Sequence, residues 1–363
     1  MPSDDSKPLM TLAVAAFNQE RFIRAAVEGA FAQTYSPLQI ILSDDCSKDR
    51  TFDIMREMAA NYRGPHQVGL NQNVTNAGLA VHTNRVFELT KGELLVLNAG
   101  DDVSLSHRVE SIVAAWESSG RKSFGVHSQV VHMAQDGTIE GQKPPTKLRE
   151  NCFNCENGPA EAKRFMREEK PVILGCTAAW AKALYERFGP LPQDIVYEDM
   201  TLGFRARLLG GMAFVDDSLL LYRLHDANIH HAEIEEHATV EGLRTEERRR
   251  KIGLERRLAA ARSFVADLER AKELKVLPEN ILSDIAVAVE EFRCANETEL
   301  NFRNAGWLGR LTSYSDVKRH CRLSTPEAGK LVQQLLPRWC YFSARILKSR
   351  LRTAGLLSKV PIL

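Results

Sequence analysis

Two pairs of adjacent carboxylates each close a short apolar run: Asp44-Asp45 after LQIILS and Asp101-Asp102 after LLVLNAG. A third pair, Glu198-Asp199, opens a stretch of helical spacing. Mg²⁺ or Mn²⁺ is typically held by one or two carboxylates plus phosphate oxygens. Such a metal neutralises charge on a departing diphosphate. Asp101-Asp102 then marks the metal end of a site, and Asp45 sits further in, where a base or ribose binds. An attacking hydroxyl must lose a proton. Asp199, facing the positive end of a helix dipole, is the candidate base. His225, neutral at pH 7 and just past a strand, is a candidate metal ligand or phosphate contact. The alternative reading is structural: Asp44 and Asp49 cap turns and helices, where Asp is favoured.

The elements that must position these groups alternate in type. LMTLAVAAF (9–17), LQIILS (38–43), HQVGLNQN (66–73) and residues 93–98 read as strands. Helical spacing separates them: Phe22, Ile23, Ala26, Val27, Ala30 and Phe31, then Phe52, Ile54, Met55 and Met58, then residues 78–90. This alternation predicts an α/β layered domain with a mixed, mainly parallel sheet. Crossovers in such sheets are right-handed, and ligands sit at the carboxyl edge of the strands. Both Asp pairs fall at that edge. Gly100 is expected to let the backbone turn tightly before the second pair.

After residue 125 the pattern loosens, and 135–170 reads as a long polar loop or lid. VILGCTAAWAKALYERFGPL (172–191) reads as a turn or short strand leading into a helix, stopped at Gly189-Pro190. FVDDSLLLYRLH (214–225) adds a strand. From about 240 the chain is a charged helix with an apolar stripe at Ile252, Leu254, Leu258, Ala261, Val265 and Leu268. Further helices follow. The expected division is a catalytic domain at 1–235 and a helical region at 236–363.

Composition excludes several classes. The 363 residues are 44% hydrophobic and 26% charged with a net charge of +1, which gives no basis for nucleic-acid binding by the whole chain. The seven cysteines lack framework spacing, as in a reducing compartment. Cys152-x-x-Cys155 stands without the second pair a zinc site needs. The polar start MPSDDSKP is no signal peptide, and no apolar run approaches a membrane span. Residues 338–352 interleave Arg338, Arg345, Lys348, Arg350 and Arg352 with Trp339, Tyr341, Phe342, Ile346 and Leu347. They read as a basic amphipathic helix for an anionic membrane surface, or as a helix docked on its own protein. The expected location is cytoplasmic, with peripheral contact at the inner face of the plasma membrane. The helix at 245–274 could pair with a copy of itself.

VAAFNQERFIRAAVEGAFAQTYSPLQIILSDDCSKDRT resembles the opening of inverting family 2 glycosyltransferases. The resemblance continues in NAGLAVHTNRVFELTKGELLVLNAGDDVSLSHRVE, in YEDMTLGFR and in YRLHDANI, four motifs in order over about residues 9–230. It implies a GT-A fold: a Rossmann-like nucleotide-binding domain with a helical C-terminal extension. It implies a nucleotide-diphosphate sugar donor, a UDP-sugar first among them, and a glycan or lipid-linked acceptor. Carried over by position, Phe17, Glu20, Asp45 and Asn76 line the nucleoside pocket. Asp101 faces ribose or metal, and Asp102 binds the metal-diphosphate. Asp199 is the base and Glu198 supports it. The resemblance also puts VILGCTAAW where sugar and acceptor meet, which makes Cys176, Thr177 and Trp180 acceptor-side candidates, with core packing the other reading of Trp180. Displacement at the anomeric carbon then proceeds with inversion and without a covalent intermediate.

The chain departs from the pattern at Ala99, where many members carry the first acid of Asp-x-Asp, and at Ala15, which offers no hydroxyl. Ala99 motivates an alternative: a domain that binds nucleotide sugar or glycan without turnover. A nucleotide-binding oxidoreductase is disfavoured, because Phe-Asn-Gln-Glu follows the first strand where Gly-x-Gly-x-x-Gly would be needed.

Overall fold

The computed structural model describes residues 7–139, 173–225 and 239–320, with side chains to 317. Most of the expected lid, the Cys152/Cys155 pair and the basic stretch 338–352 lie outside these residues. The chain divides into two compact units, Met1–His225 with Ser263–Ala286, and Asp226–Arg262 with Val287–Leu363.

The first unit is built on a sheet with strands β1 (Met10–Ala16), β2 (Leu38–Asp44), β3 (Gln67–Gln72), β4 (Leu94–Ala99), β5 (Val103–Ser104), β6 (Gly125–Met133), β7 (Ala179–Ala181) and β8 (Met212–Arg223). Their order is β3-β2-β1-β4-β7-β6-β8-β5. The β3, β2, β1 and β4 strands run parallel, as do β6 and β8, while β7 and β5 pair antiparallel with their neighbours. Helices α1 (Ile23–Phe31), α2 (Thr51–Asn61), α3 (Leu79–Leu89), α4 (Arg108–Ser118), α5 (Ala183–Phe188) and α6 (Glu198–Leu209) cover it. Both faces of the central strands are buried, so β1 and β2 read as continuous apolar runs. Leu12, Val14, Ile40, Leu42 and Val96 pack one face against Ile23, Ala26 and Val27 of α1 and Val109, Ile112 and Trp116 of α4.

Register brings the motifs together. Ala16 pairs with Asp44 and Ala15 with Ala99, so β1, β2 and β4 end at one level. The strand that sequence patterning missed is β6. Its GVHSQVVHM places His127, Ser128 and Gln129 in the interior, where period-2 reading expects apolar side chains.

Helix α7 (Val240–Glu273) is shared between the units, and α8 (Glu279–Asn304) likewise. Within the first unit, Phe264 meets Phe204 of α6 at 4.4 Å and Asp267 pairs with Arg205. The buried face of α7 runs through Leu254, Ala261, Phe264, Leu268 and Ala271. The expected stripe was therefore one position off in part: Ile252 and Val265 are exposed. In the second unit, Glu247 of α7 meets Arg310 of α9 (Trp307–His320) at 3.7 Å. No described helix is long and apolar enough to cross a membrane.

Candidate active site

The first two motif loops interlock. Asn18 N–H donates to Ser47 Oγ (2.8 Å), Lys48 N–H to Asn18 Oδ1 (2.8 Å) and Gln19 N–H to Thr51 Oγ1 (2.8 Å). Asp44, fully buried, accepts from the backbone and hydroxyl of Ser47, and Asp49 accepts from the backbone of Thr51 and Glu20. These two aspartates do the capping work that their residue type favours. Glu20 joins them: its Oε2 accepts the Arg50 N–H at the start of α2 (3.0 Å). Phe17 is left standing at the end of β1, 42% exposed.

Asp45 points the other way. Its Oδ1 accepts from Asn73 Nδ2 (2.7 Å) and Ala77 N (2.9 Å), and its Oδ2 from Gly78 N (2.9 Å). The carboxylate thus sits at the N-terminus of α3, where the helix dipole favours negative charge. Gly78 has φ +79°, a conformation that demands glycine. Asn76 is exposed in the loop just before it. Beneath, the buried His82 of α3 shares a 2.7 Å hydrogen bond with Ser43 Oγ, and burial holds its pKa low.

The turn after β4 is fixed from several sides. Asn98 Nδ2 donates to the carbonyls of Ala99 (2.7 Å) and Asp102 (3.1 Å). The backbone turns at Gly100 as expected, with Asp102 N–H donating to Ala99 O (3.1 Å), though without a positive φ. Gly100 is there because a Cβ would collide with Ala16 Cβ at 2.6 Å and with the Gln19 side chain. Asp102 is 1% exposed and its Oδ1 accepts the Arg223 N–H (2.9 Å), while Arg223 Nε donates to Asp101 O (2.9 Å). The His225 Nε2 lies 2.9 Å from Asp101 Oδ2, and its ring packs on Phe22 at 4.8 Å. Asp102 is pushed well above the ordinary carboxylate range by burial and then by the charge of Asp101. A buried carboxylate raised in this way, with a second beside it, suits a divalent cation, which would relieve both costs. Among the described residues no group of three or more His, Cys, Asp and Glu side chains gathers to hold a metal by itself. Two carboxylates with the rest of the shell from phosphate is the arrangement that suits Mg²⁺ or Mn²⁺.

Across from this turn, a 3-10 turn at Gly175–Thr177 precedes β7. The Cys176 carbonyl accepts from Arg108 Nη2 (2.6 Å), and burial and then the charge of Asp102 push the Cys176 thiol up. Arg108 is fully buried and also donates to Leu97 O (2.8 Å), Asn98 Oδ1 (3.1 Å) and Ser104 Oγ (2.8 Å). Burial lowers its pKa to about 10, which leaves it charged at neutral pH. On the other side of the same turn, Gly175 lies against the Glu198 carboxylate and the Asp199 Cβ, and Met200 N–H donates to Asp199 Oδ1 (2.7 Å). Burial raises Asp199; burial and then the charge of Asp199 raise Glu198. The charge of an ionised Asp199 thus favours the protonated form of Glu198.

Thr177 hydrogen-bonds Leu174 O and is fully buried, and Trp180 packs in the core with no exposure. The packing reading of Trp180 is the one the structure gives. Arg108, Arg223 and Asn98 were not singled out in the sequence. Arg108 had a signal: it falls four residues before Ile112, on the helix face that Ile112 and Trp116 bury. Arg223 lies within the Tyr-Arg-x-His motif already noted.

Residues 11–186 match Glycosyl transferase family 2. The chain carries a family 2 glycosyltransferase domain. An uncharacterised protein of Mycobacterium tuberculosis is 27% identical over 232 residues, 61% of this chain and 61% of that protein. The match thus spans less than two thirds of that relative. The family 2 domain is also similar in fold to solved structures. The S. aureus TarS 1–349 complex with UDP aligns over 98% of this chain and 94% of that one, with TM-score 0.56 and 14% identity. The mannosyltransferase PcManGT from Pyrobaculum calidifontis, in complex with GDP-Man and Mn²⁺, aligns over 98% and 89%, with TM-score 0.51 and 16% identity. The sheet of the first unit is of the GT-A kind, with β3, β2, β1 and β4 parallel.

Proposed function

We propose that the protein transfers a sugar from a nucleotide-diphosphate donor to an acceptor hydroxyl with inversion. The observation that carries this reading is the Gly175–Thr177 turn, which Arg108 holds beside the strand ending at Asp101-Asp102 and which lies against Glu198 and Asp199. Phe17 and Asp45 would line the nucleoside pocket, with Asn76 at its rim and Glu20 supporting the loop. Asp101 and Asp102 would hold a divalent cation, which when bound supplies charge neutralisation on the diphosphate. His225 would serve that cation or the phosphates through its pairing with Asp101.

The acceptor oxygen attacks the anomeric carbon as its proton passes to ionised Asp199. The anomeric C–O bond to the diphosphate breaks, and the nucleoside diphosphate leaves on the opposite face. Glu198, protonated, keeps a second negative charge away from the base. That the neighbours hold UDP in one case and GDP-Man with Mn²⁺ in the other supports both the donor class and the metal. The acceptor is proposed to be a glycan or a lipid-linked chain, with the basic stretch 338–352 bringing the enzyme to an anionic membrane.

The test is binding and turnover of UDP-, GDP- and dTDP-sugars with and without Mn²⁺. One donor should bind in a metal-dependent way and be hydrolysed slowly or transferred. Asp102→Ala should lose metal-dependent binding, and Asp199→Asn should bind the donor without turnover. A wild-type protein that binds a donor but never turns it over, with glycan and lipid extracts supplied, would favour the binding-module reading.

A further inference from the structure

Strands β2 and β3 end side by side, and their last polar residues meet in pairs. Ser43 lies opposite Asn71, and Asp44 opposite Gln72. Side chains alternate between the two faces of a sheet. Gln72 Nε2 therefore meets Asp44 Oδ2 on one face (3.1 Å), and Asn71 Nδ2 meets Ser43 Oγ on the other (3.0 Å). Two residues on, Asn73 Nδ2 donates to Asp45 Oδ1 (2.7 Å). Asn71 Nδ2 also donates to Asn73 Oδ1 (3.2 Å), which joins the two contacts into one chain. Helix α3 supplies the outer partners: the buried His82 shares a 2.7 Å hydrogen bond with Ser43 Oγ, and Arg85 Nε donates to Asn71 Oδ1 (3.4 Å). The chain has a direction. A guanidinium only donates and a carboxylate only accepts. With Arg85 at the outer end and Asp45 at the inner end, both amides turn their oxygens outward and their N–H groups toward Asp45.

We infer that Asn71 is a positioning residue for Asp45, acting through Asn73, and that it sets how the carboxylate meets a nucleoside. The inference rests on the reading of Asp45 as part of the nucleoside pocket. A carboxylate offers about four acceptor positions. Three are taken at Asp45: Oδ1 by Asn73 Nδ2 and Ala77 N, Oδ2 by Gly78 N. One position on Oδ2 is left for a ligand, on a side chain only 3% exposed. The direction of that position is fixed by the other three donors. Two of them are backbone groups of the loop that leads into α3, and they move when that loop moves. The third is tied to the sheet, because the Asn73 backbone N–H donates to Asp44 O (2.9 Å). The last torsion of an asparagine is broad and roughly two-fold. A free Asn73 would swing about that bond; Asn71 holds its oxygen and so keeps Nδ2 on Asp45.

The experiment measures the affinity of UDP and of GDP by isothermal titration calorimetry with Mn²⁺ present, alongside kcat and donor KM. Asn71→Ala releases Asn73 and should weaken the better-bound nucleotide about 3- to 10-fold, the range of one hydrogen bond. Donor KM should rise with it while kcat changes little, because the reacting end of the site is left alone. Asn71→Asp keeps the shape and reverses the polarity. Its carboxylate draws the Asn73 N–H away and turns the amide oxygen on Asp45, so it should weaken binding more than Asn71→Ala does. In an Asp45→Ala background Asn71→Ala should weaken binding no further, since no carboxylate remains to be aimed. Melting temperatures establish that each variant is folded, and Asn71→Asp carries the same cycle if Asn71→Ala does not fold. If both Asn71 variants bind nucleotide like wild type while Asp45→Ala does not, Asn71 positions nothing. If Asn71→Ala weakens binding equally with and without Asp45, it acts by another route and the inference fails. If Asp45→Ala binds as tightly as wild type, or wild type binds neither nucleotide, the nucleoside-pocket reading itself fails and takes this inference with it.

Discussion

The Glu198 carboxylate occupies the space where a side chain on residue 175 would begin. The Glu198-Asp199 pair lies this close to the 3-10 turn because Gly175 has no Cβ; the Asp199 Cβ stands 3.6 Å from where one would be. Gly175→Ala should therefore push Glu198 aside and rotate Asp199 with it. A misplacement of about 1 Å at a reacting group costs on the order of 100-fold. We expect kcat to fall by about that factor while the protein stays folded. Steady-state kinetics and a thermal melt check this; a variant with wild-type kcat would show that the fit is incidental.

Asp199 must be ionised to accept a proton, and burial raises its pKa above the ordinary carboxylate range. Below its raised value the base is protonated and idle. The acid limb of the kcat profile should thus lie well above pH 4, and Asp199→Asn should remove activity at every pH. A limb at the pKa of an exposed carboxylate would rule Asp199 out as the base.

Glu198 makes a separate prediction about stability. Its folded pKa is raised by burial and by Asp199, so the folded state binds its proton more tightly than the unfolded chain. The stability this contributes is fully present below the unfolded value and is lost as pH rises through the folded value. Glu198→Gln has no such loss. Relative to wild type, its melting temperature should gain on going from pH 5 to pH 9, by about 2–4 °C for each kcal/mol recovered. Parallel melting curves across that range would contradict the assignment.

Asp45 accepts three N–H groups from Asn73, Ala77 and Gly78. Asp45→Asn keeps the shape but turns an NH₂ group toward donors. One or more of these part-buried N–H groups lose their acceptor, at about 0.5–1.5 kcal/mol. The start of α3 should loosen, seen as faster amide exchange at Ala77 and Gly78, and donor KM should rise. Unchanged exchange there would mean the amide finds other partners.

The parallel half of the sheet was legible because its strands are buried on both faces, and the first three motif loops follow those strands directly. The Asp pairs were legible for the same reason: they stand where apolar runs stop. What sequence could not show was which aspartates face inward. Asp44 and Asp45 are neighbours of one type, yet one caps a turn and the other reaches α3. β6 escaped because its interior is polar: His127 is fully buried, with its pKa lowered to about 3 by burial and then by Arg207. Arg108 escaped because a buried guanidinium is satisfied by carbonyls distant in sequence, Leu97 O and Cys176 O. Arg108→Ala would orphan those acceptors together.

The boundary expected at residue 235 leaves out part of the first compact unit, which takes in Ser263–Ala286. The reason is the ion pair between Arg205 on α6 and Asp267 on α7, at 2.9 and 3.0 Å with both side chains almost fully buried. The Arg205 Nη1 also holds Gly189 O (2.8 Å), and Phe264 covers Phe204 beside it. A chain ending at residue 235 would leave Arg205 buried without its partner, at about 3–5 kcal/mol. That is a large part of the 5–15 kcal/mol that holds a typical domain together. Because α6 begins with Glu198 and Asp199, its loosening should also remove catalysis. Asp267→Ala in the full chain should lose stability by a similar amount, whereas the pair replacement Arg205→Met with Asp267→Leu should restore much of it, since apolar groups of like volume replace buried pairs at little cost. Circular dichroism melts of the shortened chain and the two variants decide the matter. A shortened chain that melts with the full-length protein would place residues 263–286 outside the working domain.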